Sequence, residues 1–161
     1  MIKSKNNSGL TLPELLISLG ILLIIFVITT INLLSGVRTT TQVAFIDSFT
    51  TDLRDQQNKA MAQFTRGEAQ NYDYGIYLTA DSYTLFRGST YSASDPDNFV
   101  IGMNPGLNFS NVTFPASTIV FESGTGQLKG FVSGSNTLSL NDSVSQKTVN
   151  LSINRYGIPL E

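Results

Sequence analysis

Residues 15–34 read LLISLGILLIIFVITTINLL, an uncharged run in which only Ser18, Thr29, Thr30 and Asn32 are clearly polar. About 20 apolar residues in a helix cross a hydrocarbon core of roughly 30 Å. The stretch is therefore long enough for one membrane span. Lys3 and Lys5 lie just before it, and a basic flank stays on the cytoplasmic side. The amino end is expected inside and everything after Leu34 outside. A secretory signal peptide fits less well, because its apolar region is only about 7–15 residues and ends in small residues. The best cut here, after Ala44, has Gln42 where a small residue is wanted.

Glu14 stands at the mouth of this run. A charge at the centre of a membrane helix costs about 2.5–3.5 kcal/mol, and less toward the interface, so an acid there needs a reason. Local structure supplies one: Thr11-Leu12-Pro13-Glu14 fits a Ser/Thr-x-x-Glu capping box, Pro is tolerated in a first turn, and the helix dipole favours an anion at its start.

The neighbourhood supplies another. Ser8-Gly9-Leu10-Thr11-Leu12-Pro13-Glu14-Leu15-Leu16, behind a short polar leader with two lysines and ahead of the apolar run, resembles the class III leader of type IV pilins and pseudopilins. The resemblance implies that a membrane peptidase cuts the Gly9–Leu10 bond and that the new amine on Leu10 is methylated. It also implies that Glu14, at the fifth mature position, pairs with the charged amino terminus of a neighbouring subunit in the assembled fibre. A paired charge in an apolar bundle is tolerable where a lone one is not, and the pairing fixes axial register. The chain departs from the family in two places. Leu10 replaces the more usual Phe, and Ile31 stands near the position of the frequent helix-kinking proline.

Beyond Gly36 the apolar pattern changes period. Val37, Thr41, Phe45, Phe49, Leu53, Gln57, Ala60 and Phe64 form a stripe, while Asp47, Asp52, Arg54, Asp55 and Lys59 take other faces. This predicts an amphipathic helix continuing the span, from about Thr11 to about Phe64, with Ser35-Gly36 as its weak point and Arg66-Gly67 as its end. The remainder reads as strands: 74–79 and 83–87 joined by Ala80-Asp81-Ser82, then 98–101, 107–114, 118–121, 127–132, 137–140 and 148–153, separated by turns rich in Gly, Asn, Asp, Pro and Ser.

The expected fold is α+β, a long N-terminal helix with a membrane-spanning first half packed on an antiparallel β-sheet head. Its parts are a leader at 1–9, a helix at 10–65 with the span at about 12–34, and an extracytoplasmic head at 66–161. The order of the hairpin and the late strands in residues 72–161 is similar to GspH/FimT-like minor pseudopilins. That similarity, with the absence of the cysteine pair of many major pilins, leans toward a minor subunit.

The composition removes much chemistry. There is no histidine and no cysteine, hence no common general base at neutral pH, no Cys nucleophile, no disulfide and no usual zinc ligand. A Ser–Lys nucleophile would need Lys59, Lys129 or Lys147 buried beside a serine, yet each sits in a polar stretch. Glu68, Glu122 and the aspartates are scattered in loop-like contexts, which does not suggest a glycosidase pair. Asp95-Pro96-Asp97-Asn98 gathers oxygen ligands without EF-hand spacing and reads as an Asx-type turn. Gly124-Thr125-Gly126 lacks the lysine and helix of a phosphate loop and reads as a hairpin turn. After Leu34 there are eight Lys and Arg against eleven Asp and Glu, so the head offers no basic field for nucleic acid. Arg87 and Arg155 with nearby aromatics are the candidate local patch.

The function expected is that of a non-catalytic filament subunit, a minor pilin or pseudopilin of a type IV pilus or a type II secretion-like filament. No cofactor or metal is expected. Its partners would be other pilin subunits, a prepilin peptidase, a membrane assembly platform and, before assembly, lipid. It would start as a single-pass protein of the inner membrane. The alternative is a membrane-anchored binding module, with DNA uptake as one form of it.

Overall fold

A computed structural model describes residues 11–65, 67 and 69–160, residues 31–40 by backbone alone. The chain is α+β: helix α1 (Leu12–Met61) followed by strands β1 (Tyr74–Leu78), β2 (Ser82–Arg87), β3 (Phe99–Gly102), β4 (Leu107–Ser110), β5 (Thr118–Phe121), β6 (Thr137–Asp142), β7 (Lys147–Ile153) and β8 (Pro159–Leu160). It divides into two compact units, Met1–Arg38 and Thr39–Glu161. The helical backbone runs through Ser35-Gly36 unbroken.

In the first unit, the stretch Leu12–Thr30 is long and apolar enough to cross a membrane, and none of it is buried. At 1.5 Å per residue it is about 28 Å long, close to the hydrocarbon thickness of a bilayer. Its hydroxyl side chains are satisfied locally: Ser18 Oγ donates to the Glu14 carbonyl at 2.8 Å, and Thr30 Oγ1 to the Phe26 carbonyl at 2.7 Å. Thr29 Oγ1 reaches the Ile25 and Phe26 carbonyls, each at 3.0 Å. Such back-bonding leaves no hydroxyl proton seeking water in lipid.

In the second unit, the helix buries Gln42, Phe45, Phe49, Leu53, Gln56 and Ala60. These steps mix threes and fours, as a 3.6-residue repeat requires to keep one face inward. The expected stripe took mostly steps of four, which drifts around the helix. Thr41 and Gln57 are accordingly half-buried, and Phe64 is exposed. Phe45 and Phe49 each touch Tyr83 of β2 and Phe109 of β4, with ring centroids 5.2–6.0 Å apart. Tyr83 Oη donates to Asp52 Oδ2 at 2.6 Å, and Gln42 Nε2 to the Leu140 carbonyl at 3.4 Å.

The strands form two antiparallel sheets rather than one, in the orders β3-β2-β1-β5 and β4-β6-β7-β8. The break falls between β3 and β4. There Pro105 has no amide proton to donate, Gly106 takes φ +95°, and β4 then pairs with β6. A single helix seam serves both sheets.

Three further elements differ from the expected ones. Segment 127–132 is not a strand: Gly130 turns it at φ +67°, leaving one bridge, Phe121 to Leu128. Strand 107–114 stops at Ser110, because Asn111 is left-handed at φ 48°. β8 was not foreseen, being two residues that begin with a proline, which a sheet accepts at its edge.

The helix ends earlier than Arg66-Gly67. Gln63 takes φ 51°, Phe64 N–H donates to the Lys59 carbonyl at 3.0 Å, and Gly124 N–H donates to the Ala60 carbonyl at 2.9 Å. The Ala60 carbonyl is thus shared, accepting Gln63 N–H at 3.1 Å from the helix's own last turn and the amide at the tip of a distant turn. Gln57 Nε2 ties the same region down through the Gly126 carbonyl at 2.8 Å and the Tyr156 carbonyl at 2.6 Å.

Two predictions test this packing. A Cβ at Gly75 would lie 2.8 Å from the Ile119 backbone oxygen and 2.6 Å from Phe86 Cζ, whereas one at Gly102 meets nothing within 4 Å. Gly75→Ala should destabilise the second unit by about 1–3 kcal/mol, and Gly102→Ala should leave it nearly unchanged, as read by urea unfolding. The second concerns Tyr83, whose phenol is pushed well above its ordinary value of 10.0 by burial and then by Asp52. The unfolded chain therefore loses this proton near pH 10 while the folded chain keeps it. Its stabilising contribution is whole below that pH and declines as pH rises further. Tyr83→Phe should remove about 1–3 kcal/mol at neutral pH and flatten the alkaline decline, measured by unfolding at neutral pH and above pH 10.

Candidate functional site

Of the residues picked out by the leader reading, Gly9 and Leu10 lie outside the described residues, and Glu14 lies in the first turn of α1. Pro13, with no amide proton, occupies a position where the helix would leave a donor free. The first intrahelical bond runs from Leu15 N–H to the Thr11 carbonyl at 3.1 Å. Among the described residues no side-chain bond closes the capping box between Thr11 and Glu14. The Glu14 side chain is exposed, and its carboxylate has no partner among them. What the helix does provide is the positive end of its dipole beside an anion. The acid is thus presented at the rim of an apolar surface, available to a cation from another source.

That surface is large. Leu16, Leu22, Ile24 and Phe26 are each 60–63% exposed, and they lie on several sides of the helix. Contiguous apolar surface of this kind marks a membrane or protein contact. An all-round apolar helix is stable only when lipid or other helices surround it.

The other candidates are placed as follows. Lys59 Nζ is 2.5 Å from Asp55 Oδ2, and Lys129 Nζ is 2.7 Å from Asp73 Oδ2. Each amine is held by a carboxylate and not by a serine. Lys147 opens β7 opposite Asp142. Glu122 accepts a hydrogen bond from Thr125 Oγ1 at 3.0 Å, and Glu68 lies outside the described residues. Asp95 Oδ1 accepts the Asp97 N–H at 2.9 Å, an Asx turn. Asp97 Oδ2 is 3.0 Å from Arg87 Nη2. Among the described residues no three His, Cys, Asp or Glu gather as a metal cluster would. Gly124-Thr125-Gly126 is a tight turn, with Gly126 N–H donating to the Glu122 carbonyl at 2.8 Å. Arg87 also lies over the Tyr72 ring, 4.4 Å from its centroid, and Arg155 Nε donates to Gln127 Oε1 at 3.1 Å.

Sequence reasoning missed the polar members of the helix seam. Gln42 and Gln56 are buried, and Asp52 receives the Tyr83 hydroxyl. The signal was the spacing of Gln42 and Gln56, three residues from Phe45 and Leu53, which a residue-type reading treats as solvent-facing.

Residues 4–30 match the family model described as the prokaryotic N-terminal methylation motif. Searches of curated proteins and of solved structures find no match.

The apolar surface predicts a sharp insertion threshold. Ile24→Asp, well inside Leu12–Thr30, adds up to about 2.5–3.5 kcal/mol to the cost of crossing the bilayer. Carbonate extraction of membranes should release much of that variant and none of Ile24→Leu.

Proposed function

We propose that this chain, which carries the prepilin-type signal of type IV pilins and pseudopilins at residues 4–30, is a structural filament subunit of minor rank, a minor pilin or pseudopilin. The observation that carries the reading is the coincidence of that motif with a helix whose apolar stretch Leu12–Thr30 is not buried and whose acid, in its first turn, has no partner among the described residues. The motif points to a structural subunit and not to an enzyme.

The mechanism is assembly. The precursor rests in the inner membrane, with the leader inside and the head outside. A prepilin peptidase cuts the Gly9–Leu10 bond, and the Leu10 amine is methylated. An assembly platform then moves the helix from lipid into a bundle of other pilin helices, which cover the same apolar surface. Lipid and bundle are equivalent solvents for Leu12–Thr30, so the transfer needs no refolding of the helix. The specific term is electrostatic: Glu14 of one subunit meets the cationic Leu10 amine of the next. Outside water such a pair has a strong distance dependence, which sets the axial step between subunits.

Minor rank is supported by the similarity of residues 72–161 to GspH/FimT-like heads and by the lack of cysteine. The competing reading, a membrane-anchored binding module, shares the span but leaves Glu14 only its favourable place at the start of the helix dipole.

Mass spectrometry of the mature protein separates them. N-methyl-Leu10 at the amino terminus is the expected result, and an intact Met1 would sink the assembly reading. Glu14→Ala should insert and be cleaved normally. It should enter filaments poorly, since it leaves a buried amine without its partner at a cost of about 3–5 kcal/mol. A bulky residue at Gly9 should leave the leader attached.

A further inference from the structure

On the face of the β3-β2-β1-β5 sheet turned away from the helix seam, three rings are arranged in sequence. Phe86 fills the space left by Gly75. Tyr91, from the loop after β2, meets Phe86 edge-on at 5.6 Å and stacks on Tyr77 at 4.0 Å with an interplanar angle of 8°. Tyr91 therefore covers one face of Tyr77. The register partner of Tyr77 on β5 is Thr118. A cleft of about 400 Å³ opens there, bounded by the two tyrosines, Ser89 and Thr90 on one side and by Pro115, Ala116 and Thr118 on the other.

The rim opposite the tyrosines is strained. Ala116 has φ 50° and ψ 27°, and Ser117 has φ 53°. Two successive residues other than glycine in the left-handed region are unfavourable, and such strain gathers at ligand clamps and functional sites. No residue of the Pro115–Ser117 turn is itself buried.

We propose that this cleft binds a neutral saccharide. Three features of its lining select that chemistry. No acidic or basic side chain borders it, so a charged ligand would lose its hydration with no ion pair in return. That disfavours phosphates and nucleic acid. The polar groups that do border it are hydroxyls, each both donor and acceptor, and those of Tyr77, Ser89, Thr90 and Tyr91 have no hydrogen-bond partner among the described residues. A sugar presents the same two-way groups. Finally, the electron-rich face of an aromatic ring suits the C–H face of a pyranose, which carries slight positive charge. An extended peptide is the poorer occupant, because it needs a sheet edge. β1 is interior to its sheet, and along β5 the Val120 carbonyl is taken by Lys129 N–H at 2.8 Å.

The site does not depend on leader cleavage or assembly, and the experiment can use the full chain. The purified protein, in a zwitterionic detergent without sugar headgroups, is titrated calorimetrically with maltotriose, cellotriose and chitotriose, and with a heparin-derived hexasaccharide as the charged probe. At least one neutral trisaccharide should bind and the heparin fragment should not. Tyr77→Ala should weaken binding by about tenfold or more. Ala116→Arg, at an exposed position, should abolish binding with an unchanged thermal midpoint, which guards against a misfolded tyrosine variant. Failure of all three neutral sugars to bind at up to about 10 mM, preference for the heparin fragment, or binding that survives both substitutions would overturn the proposal.

Discussion

The apolar side chains of Leu12–Thr30 have nowhere to go within their own unit. A soluble amphipathic helix hides one stripe against a sheet, but here every side is apolar and exposed, so burial must come from lipid or from other chains. Much else follows. Ser18, Thr29 and Thr30 turn their hydroxyls back to the helix's own carbonyls, the arrangement needed where water is absent. Glu14, near its start, is the one charged residue within the stretch. In the assembly proposed above, specificity would rest on Glu14, because an apolar bundle packs in many registers and a single charge pair accepts few.

The second unit solves the opposite problem. Its helix has one inward face, and that face is divided between two sheets instead of being laid on one. Phe45 and Phe49 touch an aromatic ring from each sheet, which makes the helix the common wall of both halves of the core. The polar seam residues match this geometry. Asp52 takes the hydroxyl of Tyr83 in the first sheet, and Gln42 reaches a carbonyl of the second. Directional bonds of this kind fix how far the helix can slide or turn against each sheet, which apolar contacts alone leave loosely specified.

How much of this was legible in the sequence depended on range. The span was readable because twenty residues lack any charge, and Glu14 because an acid at that place is expensive. The helix seam was half-readable: Phe45, Phe49 and Leu53 declared themselves, while Gln42 and Gln56 are buried through partners found only after folding. Most strands were legible from β-branched and aromatic content. Segment 127–132 misled because its composition suits a strand, yet Gly130 turns left-handed within it. The split into two sheets was not legible, since β4 pairs with β6 across 26 intervening residues, and no local pattern records that choice. The cation that Glu14 would meet in the proposed assembly belongs to another subunit, which the reading of one chain does not place.

The last turn of α1 has a temporal consequence. Ala60 gives its carbonyl to Gly124, and Gln57 holds the carbonyl of Tyr156, a residue 99 positions later. Translation therefore delivers the helix terminus long before the groups that complete it. Contacts closed across such a distance form slowly, so the apolar segment can partition into the bilayer while the rest of the polypeptide is still an unfinished, tethered chain. Final maturation of the globular part then waits for its closing residues to emerge.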